Sequence, residues 1–220
     1  MKGYSAEQIR AAEAPHLAVG EPLMARAAAA VAGEVERMLG ARVVALVGGG
    51  NNGGDALFAA ATLAEHGAQV ELIRTSSRVH EQGLAAALAA GAHLLDGDAD
   101  DLAAAAARAD VIVDGILGTG TSPDPRLRGP ARDLVVAIRA LPSVARVVAV
   151  DIPSGIHPDT GAVPDPAAVL PADVTVTFGA AKAGLLIEPG RSFAGAIRVV
   201  EIGIEADLEP LTPLVDLDPD

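Results

Sequence analysis

Short runs of β-branched and other apolar residues alternate along the chain with alanine-rich segments, and this alternation is the feature that most limits the possible folds. The apolar runs span 42–47, 70–73, 111–113, 147–150, 174–178 and 197–202. Segments typical of helices lie between most of them, at 55–66, 80–90, 101–108 and 130–141. Continuous apolar runs suit strands that are buried on both faces, and strands that alternate with helices form βαβ units. The sequence therefore predicts an α/β fold with a mainly parallel sheet.

The first 40 residues predict helices before the sheet begins. Ser5-x-x-Gln8 fits a capping box at the start of a helix, and Pro15 is expected to end that helix. From Met24 to Met38 the apolar residues recur at helical spacing, with Gly40 placed as a stop. Residues 93–95 are a further candidate for a short strand.

The composition excludes several classes of function. The 220 residues include 16 basic and 29 acidic side chains, a net charge of −13, which argues against non-specific nucleic-acid binding. One tyrosine and three phenylalanines argue against a single-strand stacking surface. The absence of cysteine excludes disulfides, cysteine-based zinc sites and thiol nucleophiles. No apolar stretch of about 18 residues and no signal-peptide pattern is present, so we expect no membrane span and a cytoplasmic location.

The charge is unevenly distributed along the chain. Six acidic residues and no basic residue follow Ile204. At about 150 residues per domain, the length suits one domain, or one domain with a small extension. We therefore predict a domain at 1–205 and an acidic tail or linker at 206–220.

A glycine-rich segment, Gly48-Gly49-Gly50-Asn51-Asn52-Gly53-Gly54-Asp55, follows the first predicted strand. Ligands of open α/β sheets bind at the carboxyl ends of the strands. Gly48-x-Gly50-x-x-Gly53 matches the dinucleotide fingerprint, and Glu71 follows at a suitable distance, so an NAD-dependent oxidoreductase is one hypothesis. However, Asp55 would lie in the first helical turn, where its charge would compete with a phosphate. The two asparagines suit a ligand or cation that needs oxygen and amide contacts.

Two further predicted strands end in an aspartate. Asp114 comes directly after 111–113, and Asp151 comes directly after 147–150 with Ser154 three residues later. If the strands are neighbours, we expect the two carboxylates to lie close together, which requires a cation or a shared proton. An oxygen-rich set of this kind suits a group I or II cation. The purely structural alternative is that both aspartates cap turns.

The segment after Asp114 offers groups for an anion. Gly118, Thr119 and Gly120 supply backbone N–H groups that could form an anion nest. Arg126 and Arg128 follow and could hold a phosphate bidentately.

Lys182 follows the strand predicted at 174–178 and is one of only two lysines in the chain. Arginine is always protonated and cannot replace lysine in proton transfer, so a lysine at a strand end suggests chemistry. The alternative is a solvent-exposed lysine on a turn. A non-catalytic nucleotide-binding protein on the same fold is the third hypothesis for the whole chain.

Together, these strand-end motifs closely resemble one known family. They are Gly50-Asn51-Asn52-Gly53-Gly54-Asp55, Asp114-x-x-x-Gly118-Thr119-Gly120, Asp151-Ile152-Pro153-Ser154-Gly155 and Thr177-Phe178-Gly179-Ala180-Ala181-Lys182-Ala183-Gly184. Their order and spacing resemble the NAD(P)H-hydrate epimerase family, the YjeF N-terminal domain, over about residues 5 to 205. Leu23-Met24-x-Arg26-Ala27 also looks like that family.

The resemblance implies a Rossmann-like three-layer α/β/α sandwich that is usually a homodimer. It implies an isomerase for nicotinamide-nucleotide repair, which interconverts the R and S forms of hydrated NADH and NADPH (NADHX and NADPHX) at C6. It also implies one potassium ion per site, and a partner, the ADP- or ATP-dependent NAD(P)H-hydrate dehydratase, that is often fused in a longer chain. The preference between NADHX and NADPHX stays open.

The resemblance also assigns residues. The potassium-site positions are Asn52, Asp114 and Ser154. The substrate-binding positions are Asn51, Asn52, Gly53, Gly54, Asp55, Gly118, Thr119, Gly120, Thr121, Ser122, Pro123, Asp124 and Asp151. Lys182 matches the family's lysine, and we expect Asp151 and Lys182 to transfer protons. The chain departs from the family at Ala56, usually glycine, and at Ala181, usually proline.

Overall fold

A computed structural model describes residues 1–38, 41–120 and 124–217. The strands in these residues are β1 (Lys2–Tyr4), β2 (Arg42–Val47), β3 (Gln69–Arg74), β4 (His93–Leu95), β5 (Val111–Gly115), β6 (Arg146–Val150), β7 (Val174–Phe178), β8 (Ala181–Lys182), β9 (Ala196–Val200) and β10 (Val215–Asp216). The helices are α1 (Ala6–Ala18), α2 (Leu23–Arg37), α3 (Asn51–Glu65), α4 (Glu81–Ala89), α5 (Ala99–Ala106), α6 (Gly129–Arg139), α7 (Arg191–Ala194) and α8 (Glu205–Leu208).

Seven strands form one sheet in the order β4-β3-β2-β5-β6-β7-β9, and every pair in it is parallel. The chain winds outward from β2 through β3 to β4, then returns beside β2 as β5 and winds outward in the other direction. The carboxyl ends of β2 and β5 therefore border the topological switch point, where doubly wound sheets bind ligands.

Helices cover both faces of this sheet because its strands are apolar on both sides. One core contains Val31 of α2, Leu57 of α3 and Val113 of β5. The other contains Ile112 of β5 and Leu134 of α6, which pack with α5. Alternate residues of β5 thus point into different cores, as the period of a strand requires. The predicted α/β fold, a three-layer α/β/α sandwich, is confirmed.

The first helix begins as predicted but continues further. Ser5 and Gln8 form the capping box, with Gln8 N–H donating to Ser5 Oγ at 3.0 Å. The prediction that Pro15 ends the helix is wrong, since α1 runs to Ala18. Pro15 has no N–H to donate to the Ala11 carbonyl, and α1 continues past it without that hydrogen bond. His16 holds this last part of α1, with its ring nitrogens 3.0 Å from Glu21 and 2.9 Å from Asp207.

The helix after the glycine-rich segment begins earlier than predicted. We expected it from residue 55, whereas α3 starts at Asn51, with Gly50 as its N-cap. Close packing explains the start, since a Cβ on Gly53 would lie 2.1 Å from the carbonyl oxygen of Gly48. Glycine at 53 therefore lets the first turn of α3 sit directly on the end of β2. Gly40, the predicted stop of the second helix, lies outside the described residues.

A second, three-stranded sheet was not predicted. Its order is β10-β1-β8, with β1 antiparallel to β10 and parallel to β8. The strands are two or three residues long, which is too short for a sequence pattern to mark. Residues beyond 205 enter this sheet as β10 and pack as α8 through Leu208, which is buried. The boundary at residue 205 stays a prediction. No helix of the described part of the chain is long and apolar enough to cross a bilayer.

Ala56, where the family usually has glycine, faces a glycine of the neighbouring strand. A Cβ added to Gly115, at the end of β5, would lie 2.5 Å from Cβ of Ala56. Helix α3 and strand β5 can approach each other this closely only because Gly115 has no side chain. Ala56 and Gly115 therefore set the distance between α3 and β5 next to the carboxyl end of the sheet.

We predict that Gly115→Ala destabilises the fold by about 1–3 kcal/mol through overpacking. The double variant Gly115→Ala/Ala56→Gly should recover part of this loss, because it removes the methyl group that causes the clash. Thermal or urea unfolding measures both effects. The matched control is Gly33→Ala in α2, where a Cβ meets no atom within 4 Å and helix propensity favours alanine by up to about 1 kcal/mol. An equal loss of stability in Gly33→Ala and Gly115→Ala would contradict the packing argument.

Candidate active site

A cleft of about 960 Å³ opens at the carboxyl ends of β2, β5 and β6. Its walls come from α1, α2, the first turn of α3 and the segment that follows β5. Predicted site residues that follow β2 and β6 come together here, including Asn51, Asn52, Asp55 and Asp151. The cleft therefore lies at the switch point of the sheet, where the fold class places ligands.

Asp114 forms the most deeply buried polar centre beside the cleft. Its side chain is 1% exposed, and it accepts hydrogen bonds from Ser154 Oγ at 2.6 Å and Ser154 N–H at 2.9 Å. Burial raises the pKa of Asp114, and the hydrogen bonds from Ser154 and the Ile116 N–H oppose this rise. No basic side chain of the described residues contributes to it. The carboxyl is therefore a buried acid that a cation would stabilise.

Asn52 joins this centre through the backbone of Leu117. The Asn52 side-chain amide donates to the Leu117 carbonyl at 3.0 Å, while the Leu117 N–H donates to Ser154 Oγ at 2.8 Å. Gly118 comes so close to Asn52 that a Cβ there would lie 2.8 Å from Asn52 Oδ1. The centre thus collects carboxylate, amide, hydroxyl and carbonyl oxygens, the ligands that hard cations take. No group of three His, Cys, Asp or Glu residues that could hold a metal ion occurs in the described ranges.

Asp114 and Asp151 have separate partners, although we expected the two to lie close together. Asp114 pairs in register with Ala149 of β6, one position below the strand end, and its partners are Ser154 and Ile116. Asp151 adopts a left-handed conformation with φ of 68°, which breaks the alternation of β6. A non-glycine residue in this region is strained, and such strain concentrates at functional sites. The two carboxyls therefore form two distinct centres.

The second centre is an ion pair between Asp151 and Lys182. Lys182 Nζ contacts Asp151 Oδ1, and both side chains are buried, with Lys182 only 2% exposed. Lys182 Nζ also donates to the Phe178 carbonyl at 3.1 Å, and Thr177 Oγ1 donates to Asp151 Oδ1 at 3.2 Å. The structure therefore brings the two predicted proton-transfer residues together, and Lys182 is not the exposed lysine of the alternative interpretation.

The charges of this pair act on two more carboxyls. Glu13 of α1 and Asp55 of α3 line the cleft. Burial, followed by the charges of Asp151 and Glu13, raises the pKa of Asp55 to about 8. Burial raises the pKa of Glu13 as well, while Lys182 opposes the rise. Asp55 is consequently protonated at neutral pH.

The expectation that the charge of Asp55 competes with a phosphate is wrong on two counts. Because α3 begins at Asn51, Asp55 lies in the second turn rather than the first. Because its pKa is raised to about 8, it carries little charge at pH 7.

The segment after β5 forms the outer wall of the cleft. Arg10 of α1 donates to the Thr119 carbonyl at 2.9 Å and so connects this wall to the first helix. Arg126 and Arg128, the predicted phosphate ligands, line the cleft and both pair with Asp124, at 3.5 and 2.6 Å. The predicted residues Thr121, Ser122 and Pro123 lie outside the described residues.

Five polar cleft residues were not predicted from the sequence: Glu13 and Arg10 of α1, and Thr75, Ser76 and Arg78 after β3. Glu13 and Arg10 lie on α1, before the first strand of the large sheet, and no local motif marks them. Thr75, Ser76 and Arg78 follow the strand predicted at 70–73, so their position at a strand end could have marked them. Glu71, the acid of the oxidoreductase hypothesis, lies inside β3 in register with Val44 rather than at the strand end. A ribose-binding acid is expected at the carboxyl end of that strand.

Comparison with known proteins places this geometry in a family. A family model described as YjeF-related protein N-terminus matches residues 20–184. A protein of Clavibacter michiganensis subsp. michiganensis named NAD(P)H-hydrate epimerase is 53% identical, and the match covers 97% of this chain and 94% of the relative. The bifunctional NAD(P)H-hydrate repair enzyme Nnr of Mycobacterium tuberculosis is 40% identical over 93% of this chain, which spans 42% of that longer protein.

A solved structure agrees with the fold. The crystal structure of the yeast protein YNL200c superposes with a TM-score of 0.73 and 22% identity, and covers 91% of this chain and 87% of that one. The family resemblance of the strand-end motifs is confirmed by the family model and by the identity of the relatives. The chain belongs to the family of YjeF-related protein N-termini.

Proposed function

We propose that this chain is an NAD(P)H-hydrate epimerase, an isomerase that interconverts the R and S forms of NADHX and NADPHX at C6. The observation that carries the proposal is the buried Asp151–Lys182 pair at the switch point of the sheet. Relatives of high identity over nearly the whole chain carry the same name.

The reaction requires groups that transfer protons to and from the oxygen bound to C6. In the hydrated ring, C6 carries a hydroxyl and is bonded to the ring nitrogen N1. Loss of that hydroxyl as water leaves a planar iminium, to which water adds on the opposite face. Asp151 is our candidate for accepting the proton of the attacking water. Lys182 holds the Asp151 carboxylate in place and, through Phe178, fixes it against the end of β7.

The remaining predicted residues would bind the rest of the substrate. Asn51, Asn52 and Gly53 form the first turn of α3, where free N–H groups and the helix dipole favour a phosphate, and Gly54 and Asp55 follow them. Gly118, Thr119, Gly120 and Asp124 are proposed as the opposing wall, and Arg126 and Arg128 beside them add positive charge. Opposed anion-binding walls of this kind suit the pyrophosphate of a dinucleotide.

Potassium is proposed as the cation of the Asp114 centre. Asn52, Asp114 and Ser154 would hold one ion per site, because they supply oxygens beside a buried carboxyl that has no basic partner among the described residues. The ion would order the two segments that Leu117 connects and offset repulsion between carboxylate and phosphate.

Three wider proposals concern assembly and location. A homodimer is proposed on the resemblance, and β9 provides an edge strand with an exposed Val199 that a second copy could cover. A dehydratase is the proposed functional partner, since the longer Nnr relatives are named bifunctional. The cytoplasm, where nicotinamide cofactors are used, is the proposed location.

A chiral assay of NADHX tests the proposed function directly. The protein should accelerate interconversion of the R and S forms above the spontaneous rate. A rate equal to that of buffer alone would contradict the proposal. Consumption of NADH with carbonyl substrates would support the oxidoreductase hypothesis instead.

We predict that Asp151→Asn lowers kcat by about 10²- to 10⁴-fold, the usual contribution of a positioned acid or base. The single variant leaves Lys182 buried without its partner, which costs about 3–5 kcal/mol of stability. Asp151→Asn/Lys182→Met removes both charges, so it should regain much of the melting temperature but not the activity. Asp165→Asn, which breaks an ion pair with Arg132 outside the cleft, is the control and should stay active. Full activity in folded Asp151→Asn would contradict the assignment.

We predict that potassium chloride raises the melting temperature relative to choline chloride at equal ionic strength. Binding to the folded state alone stabilises it by about 2.7 kcal/mol at a hundred times Kd. Ser154→Ala should lose this potassium-specific shift, because Ser154 Oγ contacts both Asp114 and Leu117. Ser192→Ala removes an exposed hydroxyl that bonds Glu188 and should keep the shift. Equal melting temperatures of the native chain in both salts would contradict the potassium proposal.

A further inference from the structure

We infer that Asp55 is a second proton-transfer group of this site, which donates a proton to the departing C6 hydroxyl, and that Glu13 keeps it in the donor form. The inference rests on the proposed epimerase function. It assigns Asp55 a role beyond substrate binding and gives a function to Glu13, which no motif marks.

The carboxyls around the cleft cannot all be ionised at once, so one of them has to keep its proton. Three carboxyls, Glu13, Asp55 and Asp151, line the same cleft. The charges of Asp151 and Glu13 raise the pKa of Asp55, and Lys182 is the one cation of the described part of the chain that lowers it. Lys182 makes its ion pair with Asp151. Like charges that share a partly desolvated site cannot all ionise, so one carboxyl retains its proton.

Asp55 is the carboxyl best placed to retain it. Its side chain is 8% exposed, whereas Glu13 is half-buried and has Arg10 nearby to favour its charge. The pKa of Asp55 is raised to about 8, with burial as the largest cause and the charges of Asp151 and Glu13 next.

The surroundings of Asp55 leave few other groups to act on it. α1 contributes Glu13, the end of β6 contributes Asp151, and β8 contributes Lys182. Arg10 acts on Glu13. α2 presents the apolar side chains of Leu23, Met24 and Ala27 to the cleft. At the start of α4, the His80 ring packs near Gly54 and its Nδ1 accepts from Gly83 N–H at 3.1 Å.

The proposed step balances with two carboxyls. The Asp55 O–H gives its proton to the C6 hydroxyl, the C6–O bond breaks with its electron pair leaving on water, and the N1 lone pair forms the C6=N1 bond. Water then attacks C6 on the opposite face, the C6=N1 electrons return to N1, and Asp151 takes the proton of the attacking water. The reverse epimerisation, or proton exchange with solvent, restores the first state. Neither an oxidant nor a reductant is needed.

Asp55→Asn tests the donor. Asparagine has the shape and neutrality of a protonated aspartate but carries no transferable proton. We expect kcat for R/S interconversion to fall by about 10²- to 10⁴-fold with KM little changed. A KM increase with unchanged kcat would show that Asp55 only binds substrate, and would overturn the inference.

Glu13→Gln tests the positioning role through the pH profile. With Asp55 as the donor, activity is lost as pH rises through its pKa, so kcat should fall above about pH 8 in the native chain. Removing the Glu13 charge lowers the pKa of Asp55 and should move this alkaline limb to lower pH by about 0.5 to 1 unit. Glu13→Asp should restore part of the shift. Glu65→Gln, an exposed acid at the end of α3, should leave the limb in place. An unmoved limb in Glu13→Gln would overturn the role of Glu13.

A readout without substrate separates this inference from the proposed function. A carboxyl that binds its proton more tightly in the folded state costs stability as pH rises from its unfolded pKa, near 4, to its folded value. The melting temperature of Asp55→Asn minus that of the native chain should therefore increase between about pH 4 and pH 8. A flat difference would overturn the inference even if the native chain is an active epimerase. If this difference in melting temperature rises with pH but the native chain has no epimerase activity, the proposed function is contradicted. The conclusion that Asp55 keeps its proton in the folded state would still hold.

Discussion

The ion pair between Lys182 and Asp151 is the interaction on which the rest of the site depends. It joins β8, which belongs to the small sheet, to the turn that follows β6 of the large sheet. Both side chains are buried, and a buried charge persists only when it is paired. The pair therefore requires β1 and β10 to hold β8, and it requires the left-handed conformation that directs Asp151 toward the cleft.

The site divides into two electrostatic centres. Asp114 and Ser154 form a buried oxygen-rich centre that receives no charge from a basic side chain of the described residues. Asp151, Asp55 and Glu13 form the other, with a single lysine. The alternation of strand residues produces this separation, because Asp114 continues the regular period of β5 whereas Asp151 departs from that of β6. In the proposed function, the first centre would hold the cation and the second would exchange protons.

Much of this arrangement could be predicted from the sequence, because parallel sheets bring strand ends together by rule. Strands 42–47, 93–95 and 174–178 were predicted at their observed bounds, and Asn52, Asp55 and Asp151 were predicted as cleft residues. The role of Glu13 could not be predicted, since it depends on the way α1 folds back over the cleft. The early start of α3 depends on the contact between Gly53 and Gly48, which is a tertiary distance. The partners of Asp114 and Asp151 depend on the φ angle of Asp151, which the residue types do not predict.

We propose that the two carboxyls at the cleft, Asp55 and Asp151, invert C6 by breaking and remaking its bond to oxygen. The most direct measurement is the incorporation of heavy oxygen from labelled water into NADHX during enzymatic epimerisation, followed by mass spectrometry alongside chiral separation. The account predicts that each inversion introduces one labelled oxygen, at equal rates for inversion and labelling after subtraction of the spontaneous reaction. Inversion that proceeds with the original oxygen retained would contradict it.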